Sequence, residues 1–306
     1  MLKGLLQRKL LFVTGKGGVG KTTLVAALGL LAARQGKRVL LCELDTDPSL
    51  RRIFSVPVIG FETARLAENL YACNLVAADC MRAFVGRVVP SRRVADAIVG
   101  NRIVSIFFES APSVMEAVIL DQIAERVTEE KPGYDLVIID LPASGHAIKL
   151  LRVARSMAEM VSIGELAKRL REVDALFTDP ARAGLVLVTL PEEMPVNETL
   201  ELAANLKSAV KTSIVGVVCN GLRHLEVEAA DTAAAAVAVG DASASGAPEL
   251  LEALALARYW TEQEREQLAR LRTELSIPLF DTPFVFAKAS DRDLVDQVAA
   301  RLLEQA

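Results

Sequence analysis

Residues 9–23 read KLLFVTGKGGVGKTT. The apolar run at 9–14 predicts a buried strand, and the pattern from 21 to about 34 predicts a helix. The turn between them, residues 15–22, fits G-x-x-x-x-G-K-[ST], a loop that surrounds phosphate groups when it joins a strand to a helix. Its glycines let backbone N–H groups approach phosphate oxygens, and the helix N-terminus adds a partial positive charge. The stretch therefore predicts a nucleotide site on an α/β fold.

Each residue of this loop has an expected contact. The Lys21 ammonium should contact the β- and γ-phosphates, the Thr22 hydroxyl should ligate Mg²⁺, and Thr23 should hold the α-phosphate region. The other residues expected along the phosphate chain are Gly15, Gly17, Gly18, Val19 and Gly20. ATP and Mg²⁺ are therefore the expected ligands.

Further short apolar runs alternate with longer helical patterns. They lie at residues 38–42, 136–140, 185–189 and 214–219, and each ends at polar or turn residues. Strands that alternate with helices predict a doubly wound, mostly parallel sheet with helices on both faces. Such sheets bind ligands beyond the carboxyl ends of their strands. We therefore expect a single α/β domain of P-loop NTPase type, residues 1–306, with its site at that edge.

Two stretches interrupt the alternation, at about 77–111 and 147–178, and both have helical patterns. They predict a small helical subdomain inserted into the sheet. Residues 225–246 are rich in Ala, Ser, Gly and Asp and contain few bulky side chains. That composition predicts a flexible loop.

The second inserted stretch carries an apolar stripe. Leu150, Val153, Met157, Met160 and Gly164 follow helical spacing, while charged residues occupy the other faces. Such a stripe either packs in the core or forms a surface that binds an apolar partner. Both interpretations stay open from the sequence.

Composition narrows the classes of function. The chain has 306 residues and a net charge of −4, so a broad basic surface for nucleic acid is not expected. The first nine residues do not form a signal peptide, and no apolar run approaches the ~20 residues of a membrane span. Four cysteines without a C-x-x-C pair predict no zinc knuckle and suit a reducing compartment. We expect a cytoplasmic protein.

Two predicted strands are followed by acidic residues. Residues 43–48 read ELDTDP, directly after the strand at 38–42, and Asp140 ends the run LVIID. One carboxylate at such a position can hold the water shell of Mg²⁺, and another can orient the attacking water. An isolated Asp after a strand is usually only a turn residue. Two such sites after a phosphate loop favour ATP hydrolysis.

These motifs together resemble the arsenite-pump ATPase (ArsA) family, which includes the ATPases that target tail-anchored membrane proteins. The phosphate loop matches, and the family's two switch motifs, T-D-P-A-H and D-T-A-P-T-G-H, correspond to residues 46–49 and 140–146. The likeness continues through Pro191-Glu192, Glu198-Thr199 and Val217-Val218-Cys219-Asn220. It therefore covers most of the chain, and the combination is more specific than the loop alone.

The resemblance implies roles for individual residues. Asp47 would polarise the attacking water, Asp140 would hold the water around Mg²⁺, and Gly145 would sense the γ-phosphate. Asn220 would bind adenine, and Pro283 would help to enclose the base, although Pro278 is an alternative match. His146 is either part of the second switch or a local cap.

Lys16 is a second lysine early in the loop. The pattern K-G-G-x-G-K-[ST] is that of the deviant Walker A subclass, and the resemblance implies that Lys16 reaches across a dimer to the partner's phosphates. The dimer could contain two copies of this chain or one copy with a related ATPase. Protein cargo or a membrane partner is the implied target of the switch.

Several features depart from the family pattern. Ser49 and Leu50 replace the end of the first switch motif, and the zinc-binding C-x-x-C of the membrane-targeting branch is missing after Asn220. Cys73 and Cys80 alone would make a poor arsenite site. The cargo is therefore open, and a positioning ATPase of the MinD/ParA class remains an alternative. That class would need a basic amphipathic tail, whereas residues 291–306 are mixed in charge.

Overall fold

The computed structural model describes residues 2–45, 47–89, 91, 93, 97, 101, 112–130, 133–160, 164–223, 247–285 and 290–305. The predicted flexible loop at 225–246 lies outside these residues, as does most of the inserted stretch after residue 89. In the described part, a central sheet is covered by helices on both faces.

The described sheet has eight strands in the order β3-β4-β2-β5-β1-β6-β7-β8. All neighbours are parallel except β3, which is antiparallel to β4. This confirms the predicted doubly wound, mostly parallel sheet. The strands are β1 (Leu10–Gly15), β2 (Val39–Glu43), β3 (Ala64–Ala67), β4 (Leu70–Asn74), β5 (Leu136–Asp140), β6 (Ala183–Thr189), β7 (Ile214–Leu222) and β8 (Leu279–Pro283).

Ten helices surround the sheet in the described part of the chain. They are α1 (Leu2–Leu6), α2 (Lys21–Arg34), α3 (Leu50–Ile53), α4 (Ala77–Val88), α5 (Pro112–Thr128), α6 (Ser144–Met160), α7 (Glu165–Thr178), α8 (Glu193–Ala209), α9 (Ala247–Glu274) and α10 (Asp291–Glu304).

Alternating side chains of the strands build two cores. In β1, Leu10 and Phe12 pack with helices α4–α8 on one face, whereas Leu11 and Val13 pack with α1, α2, α3 and α10 on the other. All four side chains are fully buried. Because both faces are covered, the central strands read as continuous apolar runs, which is the signal that reveals them in the sequence.

Helices α4–α7, here called the helical layer, pack against one another. Their buried side chains belong to the same core as one face of the sheet. Asp121 of α5 is almost fully buried and forms ion pairs with Arg87 of α4 and Arg169 of α7. These pairs connect three helices of the layer at one carboxylate.

The apolar stripe on α6 is core in its first half. Leu150 and Val153 are buried, and Met157 packs partly buried against the same core. In this conformation these residues therefore belong to the core and do not form an exposed partner surface. Gly164 is exposed at the start of α7, and the Met160 side chain lies outside the description.

No helix in the described residues combines the length and the hydrophobicity needed to cross a bilayer.

Candidate nucleotide site

The glycine-rich loop lies between the buried strand β1 and helix α2, as predicted. Gly20 precedes α2 with φ +90°, a left-handed conformation that favours glycine. A Cβ atom at Gly20 would lie 2.3 Å from Asn220 Nδ2. The loop thus combines a left-handed backbone with close approach to β7, and both conditions require glycine at this position.

A cavity of about 320 Å³ opens beside the loop. We call it the loop cavity. It lies at the carboxyl ends of β2 and β5, next to the start of α2. Its lining residues are Lys21, Thr22, Glu43, Leu44, Asp45, Ser49, Asp140, Leu141, Pro142 and Ala143. The edge of the sheet predicted to hold the site therefore carries a cavity with one lysine and three carboxylates.

Lys21 is turned toward its own loop. Its ammonium group donates a hydrogen bond to the backbone carbonyl of Lys16 at 3.0 Å. Burial lowers the pKa of Lys21, and the nearby negative charge of Asp140 partly opposes this effect. A partly desolvated ammonium group interacts strongly with an anion, so the surroundings of Lys21 suit a phosphate ligand.

Thr22 and Asp140 form the part of the cavity that fits a divalent cation. The Thr22 hydroxyl donates to Asp140 Oδ2 at 2.5 Å, and the buried Asp140 Oδ1 has no hydrogen-bond partner among the described atoms. Burial raises the pKa of Asp140 to about 6. Mg²⁺ prefers hard oxygen ligands, and both the Thr22 hydroxyl and the Asp140 oxygen without a hydrogen-bond partner are of this kind. These residues therefore fit the predicted metal.

Glu43 is a member of this site to which the sequence interpretation gave no role. Its carboxylate accepts hydrogen bonds from the backbone N–H of Ser49 at 2.7 Å and of Leu50, at the start of α3. Burial raises the pKa of Glu43 to about 7, with a smaller contribution from Asp140 and Asp45. Glu43 thereby ties the end of β2 to the start of α3, with the first switch segment between them. An acidic residue at the end of an otherwise apolar strand was the available signal.

Asp45 and Asp47 lie differently with respect to the loop cavity. Asp45 lines it, and Asn74 Nδ2 donates to the Asp45 backbone carbonyl at 2.6 Å. Asp47, the residue expected to polarise water, has a side chain that is 89% exposed and lies 3.8 Å from Arg51. In this conformation the structure brings Asp45, and not Asp47, to the cavity.

Lys16 points away from the loop cavity. Its ammonium group forms an ion pair with Glu198 of α8, and both side chains remain partly exposed. Glu198 was recognised in the sequence only as part of a family motif. A contact between residues 182 positions apart has no local sequence signal.

Gly145 lies at the start of α6 and lines a neighbouring cavity of about 370 Å³, which we call the helix cavity. Ile148, Lys149, Arg152 and Met157 of α6 also line it. His146 is exposed, and its backbone N–H donates to the Ala143 carbonyl at 3.0 Å. The second switch motif thus runs from the loop cavity, at Asp140, to the helix cavity, at Gly145.

Asn220 and Pro283 lie at the carboxyl ends of the paired strands β7 and β8, and their shared role in a base site stays a prediction. Asn220 Nδ2 donates to the Val19 carbonyl at 2.8 Å, and Asn220 Oδ1 accepts from the Thr282 hydroxyl at 2.6 Å. The side chain of Asn220 therefore ties the phosphate loop to β8. Pro278 lies at the opposite end of β8, so Pro283 is the match that reaches the site edge.

Residues 8–173 match the anion-transporting ATPase family, ArsA. The chain is 30% identical over 245 residues to ATPase BagA of Mycobacterium tuberculosis. The aligned region covers 76% of this chain and 71% of that protein.

Two further relatives carry the name of an arsenical pump-driving ATPase. One, from Escherichia coli, is 28% identical over 300 residues, and the match covers 90% of this chain and 46% of that protein. The other, a putative member from Halobacterium salinarum, is 27% identical over 233 residues, with coverages of 71% and 36%. The chain thus spans less than half the length of these two relatives. With 54% of its residues, 166 of 306, inside the family match, the chain belongs to the anion-transporting ATPase (ArsA) family and is an ATPase.

Proposed function

We propose that this ATPase works as an ATP-dependent dimer and that its nucleotide state is passed to a partner protein through the helical layer. The position of Lys16 carries the proposal. Lys21 and Thr22 of the loop line the loop cavity, whereas the Lys16 side chain lies outside it and is 44% exposed. A lysine beside the site but outside it is well placed to contact a nucleotide held by a neighbouring subunit, as a trans arginine finger does.

The dimer is expected to have closed two-fold symmetry, with each Lys16 directed at the other subunit's phosphates. Each active site would then be complete only in the dimer, so assembly and hydrolysis would be linked. A related chain could replace one copy and supply the same lysine.

Within one subunit, Lys21 would bind the phosphate chain, Thr22 would ligate Mg²⁺ and Asp140 would hold the water shell of the cation. A cation held there would neutralise part of the negative charge on the phosphate chain. We assign orientation of the attacking water to Asp45, because Asp45 lines the loop cavity and the Asp47 side chain is directed to solvent and Arg51. Asp47, expected from the family motif, is the competing assignment, and single substitution of each carboxylate distinguishes the two.

Helix α6 supports the coupling to a partner. The segment before it, Pro142 and Ala143, lines the loop cavity, while Gly145 and Met157 line the helix cavity. A change at the γ-phosphate that shifts the start of α6 would therefore also reshape the helical layer. The proposed partner is a protein that binds this layer.

Two other partners are less well supported. An arsenical is a weak candidate because Cys42, Cys73, Cys80 and Cys219 are all buried. Membrane positioning of the MinD/ParA kind is disfavoured because Val295, Val298, Ala299 and Leu302 form one face of α10 that is buried in the core, where α10 packs on α2 and β8. That face is then unavailable to a lipid surface.

The test of the dimer is specific activity as a function of protein concentration, with molar mass measured by light scattering in ATP and in ADP. Lys16→Ala should retain ATP binding but lose most turnover, whereas Lys207→Ala, an exposed lysine on α8, should behave as wild type. Constant specific activity down to concentrations at which only monomer is present would refute the proposal. Co-purification with an ATP-bound Asp45→Asn protein, alongside vesicle sedimentation, would then identify the class of partner.

A further inference from the structure

The ion pair between Lys16 and Glu198 competes with the role proposed for Lys16. The Lys16 ammonium contacts Glu198 Oε1, and the backbone carbonyl of Lys16 accepts the hydrogen bond from Lys21. The side chain and the backbone of Lys16 are therefore both engaged within one subunit. A single ammonium group cannot form a strong ion pair with this carboxylate and with a partner's phosphate at the same time.

Glu198 is the fixed member of the pair. It lies on α8 between Val196 and Thr199, which are both buried in the core. Its second oxygen, Oε2, is buried and has no hydrogen-bond partner among the described atoms, so Lys16 is the only cation that an observed contact gives to this carboxylate. Lys16 sits on a flexible four-carbon stem in a glycine-rich loop. Exchange of partners would consequently move the lysine and leave the glutamate in place.

We propose that Glu198 is a positioning residue that holds Lys16 within its own subunit, and that dimer formation transfers Lys16 from Glu198 to the partner's phosphates. This inference rests on the proposed ATP-dependent dimer. A triphosphate carries more negative charge than a carboxylate, so ATP in the partner subunit favours the transfer, and its loss after hydrolysis favours return to Glu198. The ion pair therefore sets the protein concentration at which dimers form.

The exposure of the Lys16 and Glu198 side chains limits how much their ion pair can contribute to the dimerisation equilibrium. Side chains exposed by 44% and 36% form a pair worth at most about fivefold in an equilibrium constant. Two copies of the pair are broken in a two-fold dimer, so removing both should strengthen dimerisation by up to about 25-fold.

Glu198→Gln tests the inference, because it removes the charge and keeps the size. The matched control is Glu201→Gln, an exposed residue one turn further along α8. The first readout is the rate of trace acetylation of Lys16 in the nucleotide-free monomer, measured by peptide mass spectrometry. The second is the protein concentration at half-dimerisation in ATP. Thermal unfolding of both variants checks that the fold is intact.

Glu198→Gln should raise Lys16 acetylation several-fold and lower the half-dimerisation concentration, while Glu201→Gln changes neither. Unchanged acetylation in Glu198→Gln would overturn the role of Glu198. Weaker dimerisation would also overturn it, since Glu198 would then act inside the dimer. If acetylation rises but wild type and variant both stay monomeric in ATP, the transfer step and the proposed dimer fail together, and the ion pair is only a local contact.

Discussion

Replacing Gly17, Gly18 and Gly20 of the loop one at a time by alanine should change the stability of the protein by three different amounts. At Gly17 a Cβ atom would meet nothing within 4 Å, so Gly17→Ala should leave the free energy of unfolding unchanged or raise it by ~0.4–1 kcal/mol, because alanine restricts the unfolded chain. At Gly18 the space is also open, but φ is +82°. Left-handed backbone costs roughly 1–2 kcal/mol for a residue with a Cβ, so Gly18→Ala should lose about 1 kcal/mol net.

Gly20→Ala adds a steric conflict to the same backbone cost. Its Cβ would lie 2.3 Å from Asn220 Nδ2 and displace a side chain that bonds both Val19 and Thr282. Two hydrogen bonds at roughly 0.5–1.5 kcal/mol each, added to the left-handed backbone, give an expected loss of about 2–4 kcal/mol.

The assay is urea unfolding of the nucleotide-free protein, followed by circular dichroism and by the fluorescence of Trp260, the single tryptophan. Gly17→Ala is the built-in control, because it adds the same methyl group to the same loop. Equal losses at all three positions, or a Gly20→Ala protein within about 0.5 kcal/mol of wild type, would refute the link from backbone angle and Asn220 contact to stability.

Three further predictions concern activity and the helical layer. Lys21→Ala should lower the rate of phosphate release by about 10²–10³ without unfolding the protein, since Lys21 supplies charge to the transferring group; wild-type turnover would remove it from the site. Asp45→Asn should bind ATP and hydrolyse it poorly while Asp47→Asn stays close to wild type, and single-turnover assays that show the reverse would return the role to Asp47. Met157→Asp should lower the free energy of unfolding by about 2–4 kcal/mol, because it places a charge against the core. Ser156→Asp, at the exposed neighbouring position, should change it by no more than ~0.5 kcal/mol. Equal urea midpoints for the two variants would contradict the burial of Met157.

The sequence predicts five of the eight described strands and misses β3, β4 and β8. β1, β5 and β6 are continuous apolar runs and were located within two residues. β3 and β8 lie at the two edges of the sheet, and β8 reads LFDTP, which has no strand pattern of its own. Such strands are defined by pairing with a neighbour, which a local pattern cannot reveal.

The site also contains residues that a local motif reveals and residues whose placement depends on contacts outside the motif. Lys21, Thr22 and Asp140 are placed by the loop motif and by a strand end, and the structure brings them to one cavity. The orientations of Asp45 and Asp47 depend instead on how Glu43 holds the start of α3, which is a contact across the turn. Motif spacing identified the acidic segment but could not decide which carboxylate faces the cavity.

The buried carboxylate of Asp121 has a mechanical consequence for the helical layer. Guanidinium groups from two flanking helices meet on it, and separating either one would remove an ion pair from a carboxylate that is almost fully buried. Sliding α4 or α7 independently of α5 is therefore costly, whereas tilting all three as one body keeps every pair intact. Under the proposed coupling, a shift of α6 would reach this body through the ion pair between Lys149 of α6 and Glu116 of α5, and it would displace the three helices together.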